Sequence, residues 1–282
     1  MKQTITLFGL GLMGRPMARV LLDAGYAVRG WNRSTLPEEL TQGIPLCDTL
    51  AQAAQTDVCI LMLSDSPAVD AVLGQLEPHL SARQVVIDMG SSDPTHSKPH
   101  AERLAAKGIG WVDAPVSGGP EGAAAGTLAI MAGATEVDFA RVEPVLKTLG
   151  GNVVRVGGPG AGHTAKAINQ LIVGLTIEAV AEALTLAEKC GLDPHRVRQA
   201  LSGGFADSKI LQIHGKRMIE RAYVPGAKAK TQHKDLVLGQ KLADLVDVQL
   251  PHLESTIALY QTLIAQGDED LDHSALHKLL WE

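Results

Sequence analysis

Thr4-Ile5-Thr6-Leu7-Phe8-Gly9-Leu10-Gly11-Leu12-Met13-Gly14-Arg15-Pro16-Met17-Ala18 is the stretch on which the fold turns. Thr4 to Phe8 is a short apolar, β-branched run that stops at glycines, the pattern of a buried strand. Met13 to Ala24 then carries apolar residues at helical spacing, and Gly25 supplies a C-terminal stop. The link between them, Gly9-x-Gly11-x-x-Gly14, fits G-x-G-x-x-G. Alone, such a match is a glycine-rich turn and nothing more. Between a strand and a helix it permits a tight turn and close approach of a pyrophosphate, whose charge the N–H groups at the helix start would hold. Gly9, Leu10, Gly11, Leu12, Met13 and Gly14 are therefore the first candidate cofactor-binding residues.

Outward from this stretch the alternation continues. Tyr26–Trp31, Val58–Leu63, Val85–Met89 and Gly110–Asp113 read as strands. Helical stretches around Pro67–Leu73, Glu77–Leu80 and Ala101–Gly108 separate them. Repeated strand–helix alternation predicts an α/β fold with a doubly wound parallel sheet and helices on both faces. From about Gly162 the pattern changes. Thr164–Lys189 is rich in Ala, Leu, Ile and Glu without proline and reads as one long helix. Segments 194–202, 208–221, 233–246 and 252–266 read as further helices. The glycine- and proline-rich run at 157–162 divides the chain, giving an expected nucleotide-binding domain over 1–161 and an all-α domain over 162–282.

The 282 residues suffice for two ordinary domains. With only 3% aromatic residues, the core must be built from Leu, Val, Ile, Ala and Met. A net charge of −6 speaks against a nucleic-acid-binding surface. Cys47, Cys59 and Cys190 are odd in number and unpaired in spacing, so they read as reduced, buried small hydrophobes of a cytoplasmic protein. The apolar run at the N-terminus is broken by three glycines, and no other uninterrupted stretch reaches membrane-spanning length, so a soluble chain is expected.

At the end of the second strand, where a carboxylate would read the ribose 2′-hydroxyl of NAD, the chain has Asn32-Arg33-Ser34. A 2′-phosphate is not repelled there, and Arg33 can pair with it while Ser34 donates a hydrogen bond. The charge logic favours NADP, with NAD as the other option if Arg33 is only a solvated loop residue. Asp113-Ala114-Pro115-Val116-Ser117-Gly118-Gly119 follows a strand and ends in N–H groups suited to a carboxylate. Lys166 and Asn169 lie one helical turn apart, and a lysine and an amide on one face can polarise and protonate a carbonyl oxygen. Spacing alone equally allows Lys166 to be a surface lysine.

The quoted opening stretch resembles the signature of the β-hydroxyacid dehydrogenases. That family includes 3-hydroxyisobutyrate dehydrogenases and 2-hydroxy-3-oxopropionate (tartronate semialdehyde) reductases. The resemblance continues through Asp113–Gly119, Gly126-Thr127-Leu128, Gly160-Ala161-Gly162, Lys166–Asn169, Glu182-Ala183-Leu184, Lys234-Asp235 and Asp272-His273-Ser274-Ala275-Leu276, the last typical of the reductase branch. It implies a Rossmann-type domain and an NAD(P)-dependent interconversion of a small 3-hydroxyacid and its semialdehyde. Lys166 would be the acid/base and Asn169 would hold substrate, with Ser117, Gly118, Gly119 and Asp235 also at the substrate. Met62, Leu63 and Ser91 would line the nicotinamide side and Lys234 would close over the cofactor. The partners implied are a small carboxylate-bearing aldehyde or hydroxyacid and, through the long helix, further copies of the chain as a homodimer or homotetramer.

Departures bear on the substrate. Ala227 and Lys230 stand where relatives often carry an aromatic and an acidic residue, and Ser64 replaces a frequent proline. Lys228 and Lys230 either favour a more anionic substrate or are solvated loop charges. His273 and His277, four apart, have no Cys, Asp or Glu completing an obvious metal site, and Pro99 is expected to keep His96 and His100 off a common helical face. No metal is expected. Two rival functions share the architecture: an imine reductase, against which Lys166 argues, and a non-catalytic dinucleotide-binding interaction protein, in which the lysine is typically lost.

Overall fold

The computed structural model describes residues 2–281. The chain forms two compact units, Met1–Lys166 and Ala167–Glu282.

In the first unit, β1 (Thr4–Phe8), α1 (Gly14–Asp23), β2 (Ala27–Trp31), α2 (Glu38–Thr41), α3 (Leu50–Ala53), β3 (Val58–Leu61), α4 (Ser66–Leu76), β4 (Val85–Asp88), α5 (Pro94–Ala105) and β5 (Gly110–Asp113) alternate along the chain. The strands are ordered β2-β1-β3-β4-β5 and are parallel throughout. Strand alternation divides their side chains between two cores. Ile5, Leu7, Val28, Ile60, Ile87 and Val112 join one core with Met17 and Leu21 of α1 and the helix over 136–149. Phe8, Cys59, Leu61, Val86 and Trp111 pack with Val69, Leu73 and Leu76 of α4 in the other.

Beyond β5 the expectation of a parallel sheet needs correction. β6 (Val116–Ser117), α6 (Gly119–Ala125), β7 (Ala129–Ala134), α7 (Glu136–Leu149) and β8 (Asn152–Gly157) complete the unit. β7 runs antiparallel to both β5 and β6, and β8 lies parallel to β7. β5 and β6 run in line along β7 in one antiparallel register, so the chain reverses through residues 118–128, which hold α6.

α8 (Ala161–Lys189, 29 residues) begins in the first unit and runs into the second. α9 (Pro194–Leu201), α10 (Lys209–Glu220), α11 (Ala229–Leu245), α12 (Pro251–Ala265), a 3₁₀ turn (His273–His277) and α13 (Lys278–Trp281) follow. Their core gathers Ile177, Ala181 and Leu184 of α8 with Leu211, Met218, Leu236, Tyr260 and Leu263. By length and composition α8 is long and apolar enough to cross a membrane, although Glu178 and Glu182 keep it from being an uninterrupted apolar run. Its apolar side chains are split between the core and an outward row that includes Ile168, Ile172 and Leu186.

Two local expectations also change. Of the three cysteines only Cys59 is buried; Cys190 is exposed just after α8, and none is disulfide-bonded. Pro99 lies inside α5 yet leaves His96 and His100 on one face, where both contact Asp70 (3.1 and 2.8 Å). The proline sits on the exposed side of the helix, where water can satisfy the carbonyl left without an N–H.

Candidate functional site

The carboxyl ends of the parallel strands gather most of the candidate residues of the first unit. Ligands of open α/β sheets bind at this edge, where the strand order reverses, here between β1 and β3. The glycine loop leaves β1 with Gly9 at φ +93, and a Cβ there would fall on the Met62 carbonyl. A Cβ on Gly14 would fall on the Gly9 carbonyl and press on Leu7. The first and third glycines are therefore demanded by the protein's own packing. Gly11 differs: it is exposed, its φ is ordinary, and nothing lies within 4 Å of where its Cβ would be. Space kept open at the middle glycine, beside the start of α1, fits a pyrophosphate laid against the backbone.

Leu10 is buried and Leu12 is 61% exposed, so the loop turns one of its leucines into the core and the other outward. Asn32 ties the end of β2 to this loop. Its Oδ1 accepts from Leu10 N (3.0 Å), while its Nδ2 donates to the Ser34 carbonyl (2.8 Å) and Oγ (3.2 Å). Asn32 thus shapes the loop, leaving Arg33 and Ser34 exposed at its tip. Met62 and Leu63 follow β3 and Ser91 follows β4; a Cβ on Gly90 would lie 2.6 Å from the Leu63 carbonyl, so these two loops are in contact. Ser117 ends β6, and Gly118 (φ 137) and Gly119 (φ 65) carry the chain into α6, whose start no side chain caps.

Lys166 is the last residue of the first unit and is only 9% exposed. That removes the surface-lysine reading, since lysines are almost never buried unless paired. Its helix is seated on the sheet by Asp113, at the end of β5. Asp113 Oδ1 accepts from Gly160 N (2.7 Å) and Oδ2 from His163 N (3.0 Å). Burial pushes the Asp113 carboxyl above its ordinary range, while the charge of His163 and these backbone N–H groups pull it back.

In the second unit, Asn169 Nδ2 donates to Gln170 Oε1 (2.8 Å), and Gln170 Nε2 donates to Asp235 Oδ2 (2.8 Å). Asp235 is buried, and its Oδ1 lies 3.3 Å from Lys234 Nζ. Gln232 Nε2 donates to the Gln170 carbonyl (2.9 Å), so α8 and α11 are joined by a part-buried amide ladder. Asn169, Lys234 and Asp235, far apart in sequence, belong to this one network. Gln170 and Gln232 were not among the sequence candidates, because a glutamine in a helix carries no signal of burial.

The Asp272–Leu276 segment has a scaffolding part. Asp272 is fully buried and accepts from Arg217 Nη1 (2.6 Å), Gly226 N (2.9 Å) and Ser274 Oγ (2.6 Å). Burial alone would raise its carboxyl. The hydrogen bonds of His214, Ser274 and Gly226, with the charge of His273, outweigh that and hold it well below the usual carboxylate range. His273 and His277 have separate partners. In a 3₁₀ turn residues four apart diverge, so His273 Nε2 meets His214 Nε2 (3.3 Å) while His277 Nδ1 meets Tyr223 Oη (3.1 Å). His214, Asp272 and His273 form one cluster of metal-ligating types, and Asp70, His96 and His100 form a second. In the first the carboxylate is already occupied by Arg217, Gly226 and Ser274. In the second Arg103 lies 3.1 Å from His100 Nδ1, so that nitrogen accepts and the proton sits on Nε2. Lys228 and Lys230 both pair with Asp270 (2.8 Å each), forming a solvent-exposed charge group.

Comparison with known proteins identifies the family. Residues 4–158 match the family model described as the NAD binding domain of 6-phosphogluconate dehydrogenase. Residues 160–280 match that described as NAD-binding of NADP-dependent 3-hydroxyisobutyrate dehydrogenase. The chain belongs to the β-hydroxyacid dehydrogenase family. It is 43% identical over 278 residues to the 2-hydroxy-3-oxopropionate reductase of Escherichia coli (strain K12), covering 96% of this chain and 95% of that one. It is 33% identical to the 3-hydroxyisobutyrate dehydrogenase of Pseudomonas aeruginosa, covering 98% and 97%. Among solved structures, the 3-hydroxyisobutyrate dehydrogenase of Mycobacterium tuberculosis with L-serine superposes with a TM-score of 0.88 at 29% identity over the whole of both chains. An imine reductase from Pseudomonas sp. shares the fold at 22% identity and a TM-score of 0.61. The family's members act on CH–OH donors, and this chain is an NAD(P)-dependent oxidoreductase of hydroxyacids and semialdehydes.

Proposed function

We propose that the enzyme reduces a small carboxylate-bearing semialdehyde of the 2-hydroxy-3-oxopropionate type to the hydroxyacid, with NADPH as the favoured reductant. The observation that carries this is Lys166, a buried lysine on a helix start fixed to the ligand-binding edge of the sheet, with Asn169 one turn on. A bound nicotinamide dinucleotide supplies the hydride that reaches the carbonyl carbon. The Lys166 ammonium gives its proton to the carbonyl oxygen as charge develops there, so the aldehyde gains two electrons and two hydrogens and becomes the alcohol. Ser117 and the N–H groups of Gly118 and Gly119 hold the substrate carboxylate, and Asn169, kept in place by Gln170, orients the reacting carbon. Met62, Leu63 and Ser91 support the nicotinamide side, the family resemblance assigns Lys234 to the cofactor and Asp235 to the substrate, and Arg33 with Ser34 receives a 2′-phosphate. General acid catalysis of this kind is worth on the order of 10²–10⁴ in rate.

The decisive test is Lys166→Ala. NADPH affinity should stay close to wild type while turnover of tartronate semialdehyde falls by roughly 10²–10⁴. Retained turnover would remove Lys166 from the mechanism. The outward apolar row on α8, with Ile168, Ile172 and Leu186 each more than half exposed, supports assembly of the chain into a homodimer or homotetramer. Light scattering of the purified enzyme would decide it, a monomer ruling it out. Three cysteines without a disulfide agree with a soluble enzyme of the cytoplasm.

A further inference from the structure

The first turn of α8 is fixed by groups that touch neither substrate nor cofactor in the mechanism above. Asp113 is fully buried, and its two oxygens take the N–H groups of Gly160 and His163 at the positive end of the helix dipole. A Cβ on Gly162 would fall on the Asp113 and Met131 carbonyls, and one on Gly133 would lie 2.6 Å from Asp113 Oδ2, so helix and sheet backbones are in direct contact. The imidazole of His163 completes the anchorage. Its Nδ1 meets Ser97 Oγ of α5 at 2.8 Å, and its Nε2 lies 3.5 Å from Asp88 Oδ2 at the end of β4. Asp88 is itself held by Gly90 N (3.0 Å) and Ser92 Oγ (2.7 Å). The sequence Ser97–His163–Asp88 has the residue types of a nucleophilic triad. Each of the three is only 1% exposed, so no substrate reaches Ser97, and the group acts as a clamp.

Lys166 is the next residue on the same helical face, three positions after His163. A lysine has four rotatable carbons, and a donor displaced by about 1 Å can lose on the order of 10² in rate. We infer that His163, with Asp113, is a positioning residue for Lys166, locking the first turn of α8 to β4, β5 and α5 so that the ammonium is delivered to the carbonyl oxygen. This rests on the reading of Lys166 as the acid.

The test uses His163→Ala and His163→Gln beside Lys166→Ala in the full-length enzyme, with folded fraction and NADPH affinity measured for each. His163→Ala should lose about 10- to 100-fold in kcat per folded molecule, with NADPH Kd within about threefold of wild type and KM changed less than kcat. Its kcat should show an enlarged solvent isotope effect, because proton delivery becomes slow. His163→Gln, which can still bridge Ser97, should recover most of the loss. Asp113→Asn, which keeps one acceptor, should fall between them. An inactive Lys166→Ala alongside a His163→Ala of wild-type kcat would overturn this inference and leave the proposed acid standing. An active Lys166→Ala would overturn both. Equal losses in the Ala and Gln variants, with no change in isotope effect, would reduce His163 to a folding role and overturn the inference.

Discussion

Gly11→Ala separates the demands of the fold from those of the cofactor. Nothing in the protein lies within 4 Å of the new methyl, and the φ of Gly11 is one an L-residue adopts without strain. The stability change should therefore stay within about 0.5 kcal/mol. If the pyrophosphate crosses Gly11, the methyl stands in its path, and a loss of roughly 1.4–2.8 kcal/mol corresponds to about 10- to 100-fold in Kd. Gly14→Ala is the control. Its methyl would overlap the Gly9 carbonyl and lie 2.9 Å from Leu7, an overpacking of about 1–3 kcal/mol. At roughly 2–4 °C per kcal/mol that lowers the melting temperature by several degrees. NADPH fluorescence titration and thermal unfolding of both variants give the two readouts. Gly11→Ala with wild-type stability and NADPH affinity within twofold would refute the argument that the open space at the middle glycine belongs to the cofactor.

Arg33→Ala should raise the NADPH Kd by about tenfold or more and leave NADH little changed, since a charged hydrogen bond to the 2′-phosphate is worth roughly 1.5–3 kcal/mol; equal effects on both cofactors would dismiss Arg33 as the discriminator. Asp272→Asn removes the buried carboxylate that pairs with the partly exposed Arg217 and should cost about 1–3 kcal/mol, seen as a fall in melting temperature. An unchanged melting temperature would show that the buried carboxylate is not a keystone of the second unit. The Asp272 carboxyl lies below its unfolded-state value, so its contribution is whole above about pH 4 and is lost as acid protonates it. Burial lowers His100, His233 and His277 below their ordinary value. These groups bind fewer protons folded than unfolded, so stability should fall as pH drops through about 6.5. A melting temperature that rises between pH 7.5 and 5.5 would contradict that sign.

Much of the fold was legible because its signals are local. Thr4–Phe8 followed by Gly9-x-Gly11-x-x-Gly14 carries strand, turn and helix start within a few residues, and the helices after Gly162 show their period openly. That β5 and β6 run in line along β7 was not legible. Whether β7 pairs parallel or antiparallel depends on where the chain reverses, which strand propensity does not record. His96 and His100 were misplaced for a similar reason: the effect of Pro99 depends on which side of α5 meets water.

Taken by itself, the sequence determined the alternation of strands and helices, the candidate nucleotide loop with its missing carboxylate at Asn32-Arg33-Ser34, and the family resemblance, because each is written in neighbouring residues or in motif order. Only the tertiary structure decided that Lys166 is buried, that Gly9 and Gly14 serve the packing while Gly11 does not, and that Asp113, His163 and Asp88 clamp one helix turn. Burial, steric room and hydrogen-bond partnership are properties of atoms brought together from distant positions. A residue's type limits those properties, and only the folded chain sets them.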